Sequence, residues 1–520
     1  MKKLLSLVLA LAMIFTVCAA FAADGDQLST PENTISATGA VSGDSITAYQ
    51  LVEWKDGDWA LTTLGTASTV SLANLIDGID ESEATLIATN LASAEATYTL
   101  TESEGTWSKT PVAAGLYYLK ATANADHKDI IYNPAFVSAD YVEGGNTVSY
   151  TWNIGSSAVV KKSNVTFDKE IDDKSQIKFV DVKPGDVIPY VITSKIPSYG
   201  TTFTNPQFKV EDTLSAGLAL KAEPKVFVNN VELTGDAKAA AYTYTAKANG
   251  AGFTIEFKAG YLTNLAGATP DVKITYSADV TTEALNNVTY MDNEAKLTFS
   301  NTPTTTSDKD DITRHYTFSI DGNLLGSKED QTDELIKVAC DANGDPIYDT
   351  KTTYYGKEIN PLDGASFTLT PVDPTTGTAK TVSSADGGHI KFLGLDAGTY
   401  ELVENTAPAG YVKDSRTYVV EIIPHYDDAT SNAPILTSYD VKFKVKGASE
   451  YSATATFAAT AEGGKVISST HAEDNQLIGN TPGSSLPSTG GIGTTIFYVA
   501  GGLLVVGAAV ILVARRKAHE

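Results

Sequence analysis

Cysteine is nearly absent from this chain, and its placement excludes an intramolecular disulfide. Among 520 residues there are two, Cys18 and Cys340. Cys18 follows the apolar stretch from Leu4 to Val17, which is preceded by Lys2 and Lys3 and followed by Ala20-Phe21-Ala22. That order reads as a secretory signal peptide, residues 1–22, cleaved after Ala22 or Ala23, which leaves the exported chain one thiol. Val17 also stands where a lipidated cysteine needs a small neighbour, so a lipoprotein is excluded. Basic residues are scarce too. Without Lys2, Lys3, Arg515, Arg516, Lys517 and Glu520 the chain keeps 33 basic residues against 62 acidic ones. Nucleic acid and anionic membrane are poor partners for such a surface. The six histidines, at 127, 315, 389, 425, 471 and 519, have no metal-ligand spacing. Asp341-Ala-Asn343-Gly-Asp345 opens like a calcium loop, but Pro346 takes the glycine position and no Glu follows at the twelfth, so it reads as a solvated turn. No nucleotide-binding loop or Ser/His/Asp set stands out, and no metal or cofactor is expected.

What remains is dominated by strand signals. Thr97-Tyr-Thr-Leu-Thr, Ala241-Tyr-Thr-Tyr-Thr, Phe253-Thr-Ile-Glu-Phe and Tyr418-Val-Val-Glu-Ile cluster β-branched and aromatic residues between turn formers. One segment, 82–93, has helical periodicity. The fold expected is all-β, a string of tandem immunoglobulin-like β-sandwiches. Linker signals fall at Lys161-Lys162-Ser163-Asn164, at Asn301 to Asp311, and at Thr481-Pro-Gly-Ser-Ser.

At the C-terminus Leu486-Pro487-Ser488-Thr489-Gly490 precedes an apolar run, 492–514, and then Arg515-Arg516-Lys517. The run is long enough to cross a bilayer's hydrocarbon core, and the basic end resists translocation. This order resembles the cell-wall sorting signal of Gram-positive surface proteins. The resemblance implies that a sortase cleaves between Thr489 and Gly490 and passes the threonine carbonyl to an amine. The membrane span is then a temporary hold, and the protein belongs at the cell wall or surface.

Inside the sandwiches, polar residues fall in phase with apolar ones. Lys169 shares a strand face with Phe167 and Ile171, Asp212 with Val210 and Leu214, and Asn293 with Met291, Ala295, Leu297 and Phe299. A second set repeats the pattern: Lys337 with Leu335, Glu404 with Tyr400 and Leu402, Asn480 with Ile478. Alternate residues of a half-buried strand face the core, so each set aims an amine, an acid and an amide inward. A buried, uncrosslinked ion pair is the plainer alternative.

These segments resemble domains of sortase-assembled major pilins. Val-Glu-Asp212-Thr-Leu and Asn293-Glu-Ala-Lys-Leu look like the isopeptide-forming D2 domain of fimbrial subunits. Tyr400-Glu-Leu-Val-Glu404-Asn-Thr-Ala-Pro-Ala-Gly-Tyr411 resembles the pilin E-box of the collagen-adhesin B-type (CnaB) domain, and Gly364-Ala-Ser-Phe-Thr-Leu and Leu395-Asp-Ala-Gly-Thr-Tyr are further features of it. The resemblance implies Lys169 bonded to Asn293 with Asp212 assisting, and Lys337 bonded to Asn480 with Glu404 assisting. Burial favours a neutral, nucleophilic amine beside a protonated acid, the state that attack on an amide requires.

A shaft pilin also needs a lysine that accepts the next subunit. The family motif is W-x-x-x-V-x-V-Y-P-K. Here Trp152 lies nine residues before Lys161, but Ser156 and Ala158 replace the valines and Val159-Val160 replaces Tyr-Pro. Lys161 is the expected acceptor, with Lys162 the alternative. Gly39-Ala-Val-Ser-Gly-Asp and Ala114-Gly-Leu-Tyr-Tyr-Leu look like an N-terminal pilin sandwich, in which no Lys, acid and Asn set is evident.

The expected organisation is an N-terminal pilin sandwich at 23–162, a D2 (CnaA-like) sandwich at 163–305, a CnaB-type sandwich at 306–483 and the sorting signal at 484–520. The expected function is a structural pilus subunit and not an enzyme. Its implied partners are copies of itself and a pilin-class sortase, with ancillary pilins, peptidoglycan and host surface ligands as further candidates. A monomeric wall-anchored adhesin, binding through its first domain or an insertion near 426–469, is the alternative, as is an ancillary pilin.

Overall fold

Alternating apolar and polar residues drive most of this chain into strands. The computed structural model describes residues 33–518 except 144–145, 149–153, 173–176, 200–202, 204, 266–267, 286–290, 304, 321–334, 348–351, 355–356, 373–374, 376, 428–432, 460–465, 472–476 and 484–491. The secretory segment 1–22, Trp152 and the pentapeptide Leu486 to Gly490 lie outside the described residues. The chain divides into two compact units, one reaching residue 316 and including 428–434, the other formed by 317–427 and the residues from 435 onward.

The first unit holds two groups of sheets, and among the described residues no strand of one pairs with a strand of the other. In the first group, Asn33–Thr38 lies between Ser157–Val159 and Thr106–Val112, while Ser45–Lys55 pairs with Asp58–Leu61 and Gly115–Thr122. Ile35, Ala37, Trp107, Tyr117 and Val137 share one apolar core. On a second core, with Leu51, Leu75, Ile87 and Leu116, the chain adds helices. The helix anticipated at 82–93 is Glu81–Asn90, opened by a reciprocal capping box between Asp80 and Glu83. Two further helices, Thr63–Ala67 and Leu72–Asp77, are too short to establish a periodicity, although Thr62 and Ser71 cap their first turns.

The second group is a pair of six-stranded sheets. One runs Phe167–Ile171, Val187–Lys195, Asp271–Val280, Lys225–Val228, Val231–Glu232, with Leu218–Leu220 also on Asp271–Val280. The other runs Phe179–Asp181, Thr306–Tyr316, Met291–Ser300, Phe208–Leu214, Gly252–Phe257, Tyr242–Ala246. The linker expected across Asn301 to Asp311 is therefore a correction: from Thr306 onward it is strand, paired with Met291–Ser300 from Ser300 opposite Thr306 to Met291 opposite His315. Its first half is polar, alternating exposed and half-buried positions where Met291–Ser300 is its only strand partner among the described residues, and is tied across by Lys296 and Asp308 at 2.8 Å, whereas Thr313, His315 and Tyr316 at its end are buried. The boundary expected at 305 falls inside this sheet.

In the second unit a seven-stranded sheet runs Lys380–Ser383, Ser366–Pro371, Gly398–Thr406, Thr417–Tyr426, Leu436–Val445, Ala453–Ala459, Val466–His471. Within the segment 426–469, expected as an insertion, Leu436–Val445, Ala453–Ala459 and the start of Val466–His471 continue this sheet as successive antiparallel neighbours. Ile336–Ala339 pairs in parallel with Leu477–Asn480. The apolar run forms the helix Ile492–Lys517, whose Thr495–Lys517 portion contains an 18-residue stretch of mean hydropathy 2.6 and is long and apolar enough to cross a membrane.

Candidate functional site

Lys169 stands on Phe167–Ile171, the edge strand of one sheet, while Asp212 and Asn293 stand on adjacent strands of the other, where Leu214 opposes Asn293 and Asp212 opposes Ala295. The alternation that places them inward is realised, and all three side chains are fully buried. Lys169 Nζ donates to Asp212 Oδ2 and, at 2.6 Å, to the Tyr276 hydroxyl. Tyr276 donates to Asp212 Oδ2 at 2.5 Å and accepts from Asn293 Nδ2 at 3.0 Å. Asp212 Oδ1 and Asn293 Oδ1 are buried without a hydrogen-bond partner.

Aromatic rings complete the enclosure. Nζ lies 5.2 Å from the ring centre of Tyr190 and 5.3 Å from that of Tyr276, which stack on each other at 5.1 Å. Burial holds the Lys169 amine below its ordinary pKa against the pull of Asp212, and pushes the Asp212 carboxyl up against the pull of Lys169. Both shifts move the pair toward an amine and an acid without charge. That is the reactive combination for acylating the amine with an amide.

The second set is built differently. Lys337 and Asn480 lie on the parallel pair Ile336–Ala339 and Leu477–Asn480, where Lys337 opposes Ile478, so Asn480 is one diagonal step away on the same face. Lys337 Nζ comes within 3.3 Å of Glu404 Oε1 but is not aligned for a hydrogen bond. Glu404 Oε2 accepts from Asn480 Nδ2 at 2.8 Å and from the Asp414 backbone N–H at 2.6 Å. Asn480 Nδ2 also donates to the Val412 carbonyl at 2.9 Å. The acid thus spans amine and amide directly, one oxygen to each. All three residues are buried, and burial lowers the pKa of Lys337.

His315 backs the first set through Tyr190, whose hydroxyl lies 2.7 Å from Nε2. Burial first, and then the nearby Lys169, press its pKa down from 6.5 to about 3. Between those values the unfolded chain binds a proton that the folded chain refuses, so stability rises with pH by about 1.4 kcal/mol per unit. The contribution is complete above pH 6.5 and is lost as pH falls toward 3. Denaturant unfolding of His315→Gln against wild type from pH 7 to pH 4 is expected to show that slope only in the wild type. Parallel profiles would refute it.

The segment that carries Lys161 and Lys162, expected to hold the acceptor, is tied down at both ends. Ser157–Val159 runs parallel to Asn33–Thr38, Val160 donates to the Thr38 carbonyl at 2.8 Å, and Lys162–Asn164 pairs with Ile130–Tyr132. Between them the Lys161 carbonyl accepts from the Asn133 N–H at 2.9 Å. Gly39, at φ +92°, passes so close that a β-carbon there would sit 2.5 Å from the Val160 carbonyl oxygen. The stretch read as a linker is therefore a braced crossing that leaves Lys161 and Lys162 exposed.

Sequence reasoning missed Tyr276. It alternates in phase with Val272, Ile274, Ala278 and Val280 on Asp271–Val280, so it reads as ordinary core.

Comparison with known proteins agrees with this architecture. Residues 350–433 match the SpaA prealbumin-like fold domain, and 480–520 match the LPXTG cell wall anchor motif. The chain is 27% identical over 460 residues to the trypsin-resistant surface T6 protein of Streptococcus pyogenes serotype M6, covering 78% of this chain and 79% of that one. In structure it is similar to the T6 backbone pilin of that organism, with a TM-score of 0.59 at 20% identity, covering 88% of this chain and all of the other. It is also similar to the full-length major pilin SpaD of Corynebacterium diphtheriae, with a TM-score of 0.50 at 16% identity, covering 89% and 99%. The chain thus combines the modular all-β fold of Gram-positive backbone pilins with an LPXTG cell wall anchor.

Proposed function

We propose that this chain is the structural subunit of a covalently polymerised surface pilus, joined by a pilin-class sortase from Thr489 of one copy to Lys161, or Lys162, of the next. The observation that carries this is the LPXTG anchor on a chain with the backbone-pilin fold. Two internal bonds stiffen each subunit, Lys169 to Asn293 and Lys337 to Asn480, assisted by Asp212 and Glu404. In each, Nζ attacks the asparagine Cγ, the Cγ–Nδ2 bond breaks, and ammonia leaves with a proton taken from the amine. Holding amine and amide together in a dry core supplies the effective concentration that free groups lack. The bond forms once, on folding, and no external substrate is turned over. The subunit is organised as three sandwiches, with the second division after Tyr316, since Thr306–Tyr316 completes the middle sheet.

Tryptic mass spectrometry of wall extracts tests the polymer. A branched peptide joining the carboxyl of Thr489 to the side chain of Lys161 or Lys162 is expected. Thr489 joined only to cell-wall peptide would refute the polymer and favour a monomeric wall-anchored adhesin.

A further inference from the structure

The two cross-linking sets differ in one respect that bears on how each could react. In the second, Glu404 contacts amine and amide itself, with Oε1 near Lys337 Nζ and Oε2 on Asn480 Nδ2. In the first, the hydrogen bonds of Asp212 reach Lys169 and Tyr276, whereas Asn293 Nδ2 is bonded to Tyr276. The Tyr276 oxygen is the single atom in contact with all three reacting partners: the nucleophile at 2.6 Å, the acid at 2.5 Å and the departing nitrogen at 3.0 Å. A phenol hydroxyl has one proton to give and two lone pairs to accept with, and this one uses all three.

We infer that Tyr276 is a third catalytic residue of the middle-domain cross-link, relaying a proton between Asp212 and the departing nitrogen of Asn293. The inference rests on the cross-linking chemistry proposed above. Once Nζ has added to Cγ, Nδ2 is a pyramidal amine that can accept, and with Asp212 protonated the two hydrogen bonds of the Tyr276 hydroxyl reverse: Asp212 gives its proton to the Tyr276 oxygen while the tyrosine gives its own to Nδ2. The Cγ–Nδ2 bond breaks and ammonia departs, and the proton shed by Nζ returns to Asp212. The products are one amide and one ammonia; the acid and the phenol end as they began, and nothing is oxidised or reduced. Glu404, touching both nitrogen-bearing groups, needs no such intermediary. The surroundings suit a relay: stacked against Tyr190 and edge-on to Phe253 at 4.9 Å, the phenol ring is fixed in place.

The test is the rate of bond formation in pulse-expressed full chain carrying Tyr276→Phe, read as the fraction of tryptic peptide joining Lys169 to Asn293 over time. Slowing by about 100-fold or more is expected, the range of a lost general acid. The Lys337 to Asn480 peptide of the same molecules should appear at the wild-type rate, which reports on folding of the chain. To separate chemistry from packing, Lys169→Ala is compared with Lys169→Ala/Tyr276→Phe, and equal melting temperatures are expected. A rate within threefold of wild type would overturn the inference. So would a double variant that melts well below the single one, because the phenol would then be structural. A wild-type chain that never yields the Lys169 to Asn293 peptide would instead sink the cross-link itself, and the relay with it.

Discussion

The chain before it is joined to another subunit or to the wall is expected to weigh about 34 Da less than its sequence, two ammonia masses, one for each internal amide formed. A mass equal to the sequence would rule out both bonds. Asn293→Ala and Asn480→Ala should each restore about 17 Da, independently, since each set is complete in itself. The energetic consequence is large. The Lys169 to Asn293 bond closes a loop of about 125 residues, which by chain entropy stabilises the folded state by about 5 kcal/mol. At roughly 2–4 °C per kcal/mol for a domain of this size, Asn293→Ala should melt about 10–20 °C below wild type. Lys169→Ala should fall further. It removes the same tie and also takes one hydrogen-bond partner from the buried Asp212 carboxyl, which adds about 1–3 kcal/mol. Calorimetry of the three proteins checks the order; Lys169→Ala melting above Asn293→Ala would contradict it.

Complete loss of polymer is the second large effect expected. Wall extracts of cells expressing the wild-type chain should give a ladder of high-mass species that survives boiling in detergent, because every junction is an amide. Thr489→Ala removes the acyl donor and should abolish the ladder. Lys161→Ala with Lys162→Ala removes the acceptors, and should leave one species still attached to the wall through Thr489. The contrast separates donor from acceptor. A ladder persisting in the double lysine variant would place the acceptor elsewhere on the subunit. The single lysine variants then decide between two neighbours that are both exposed on the braced crossing between Val160 and Asn164.

Much of this arrangement was legible because strands have a period of two. Lys169, Asp212 and Asn293 fall on the same parity as apolar neighbours, and that parity alone places them in the core. Tyr276 has the same parity, yet an aromatic among Val272, Ile274 and Ala278 is what any core strand looks like. Its function resides in a hydroxyl whose partners lie on three other strands, and spacing carries no record of them. Thr306–Tyr316 was hidden for the opposite reason. From Thr306 to Asp311 its half-buried positions are serine, lysine and aspartate, so no apolar residue marks the inward face, and its pairing there comes from backbone bonds and surface ion pairs. Thr63–Ala67 and Leu72–Asp77 are a turn or two each, shorter than the window in which a helical stripe can repeat.

The position of Thr306–Tyr316 after Asn293 has a mechanical consequence. A filament pulled through Lys161 and Thr489 transmits tension along the shortest covalent route. With both amides formed, that route jumps from Lys169 to Asn293 and from Lys337 to Asn480. Residues 170–292 and 338–479 then hang beside the load path as slack that never bears it. The stretch from Asn293 to Lys337 has no bypass, and Thr306–Tyr316 lies within it, an edge strand for much of its length. Under tension it is the element that can peel from Met291–Ser300 and spool out while every covalent link stays whole. On the proposed bonding, the stretch between the two ties is a built-in shock absorber whose reach is set by the residues it contains.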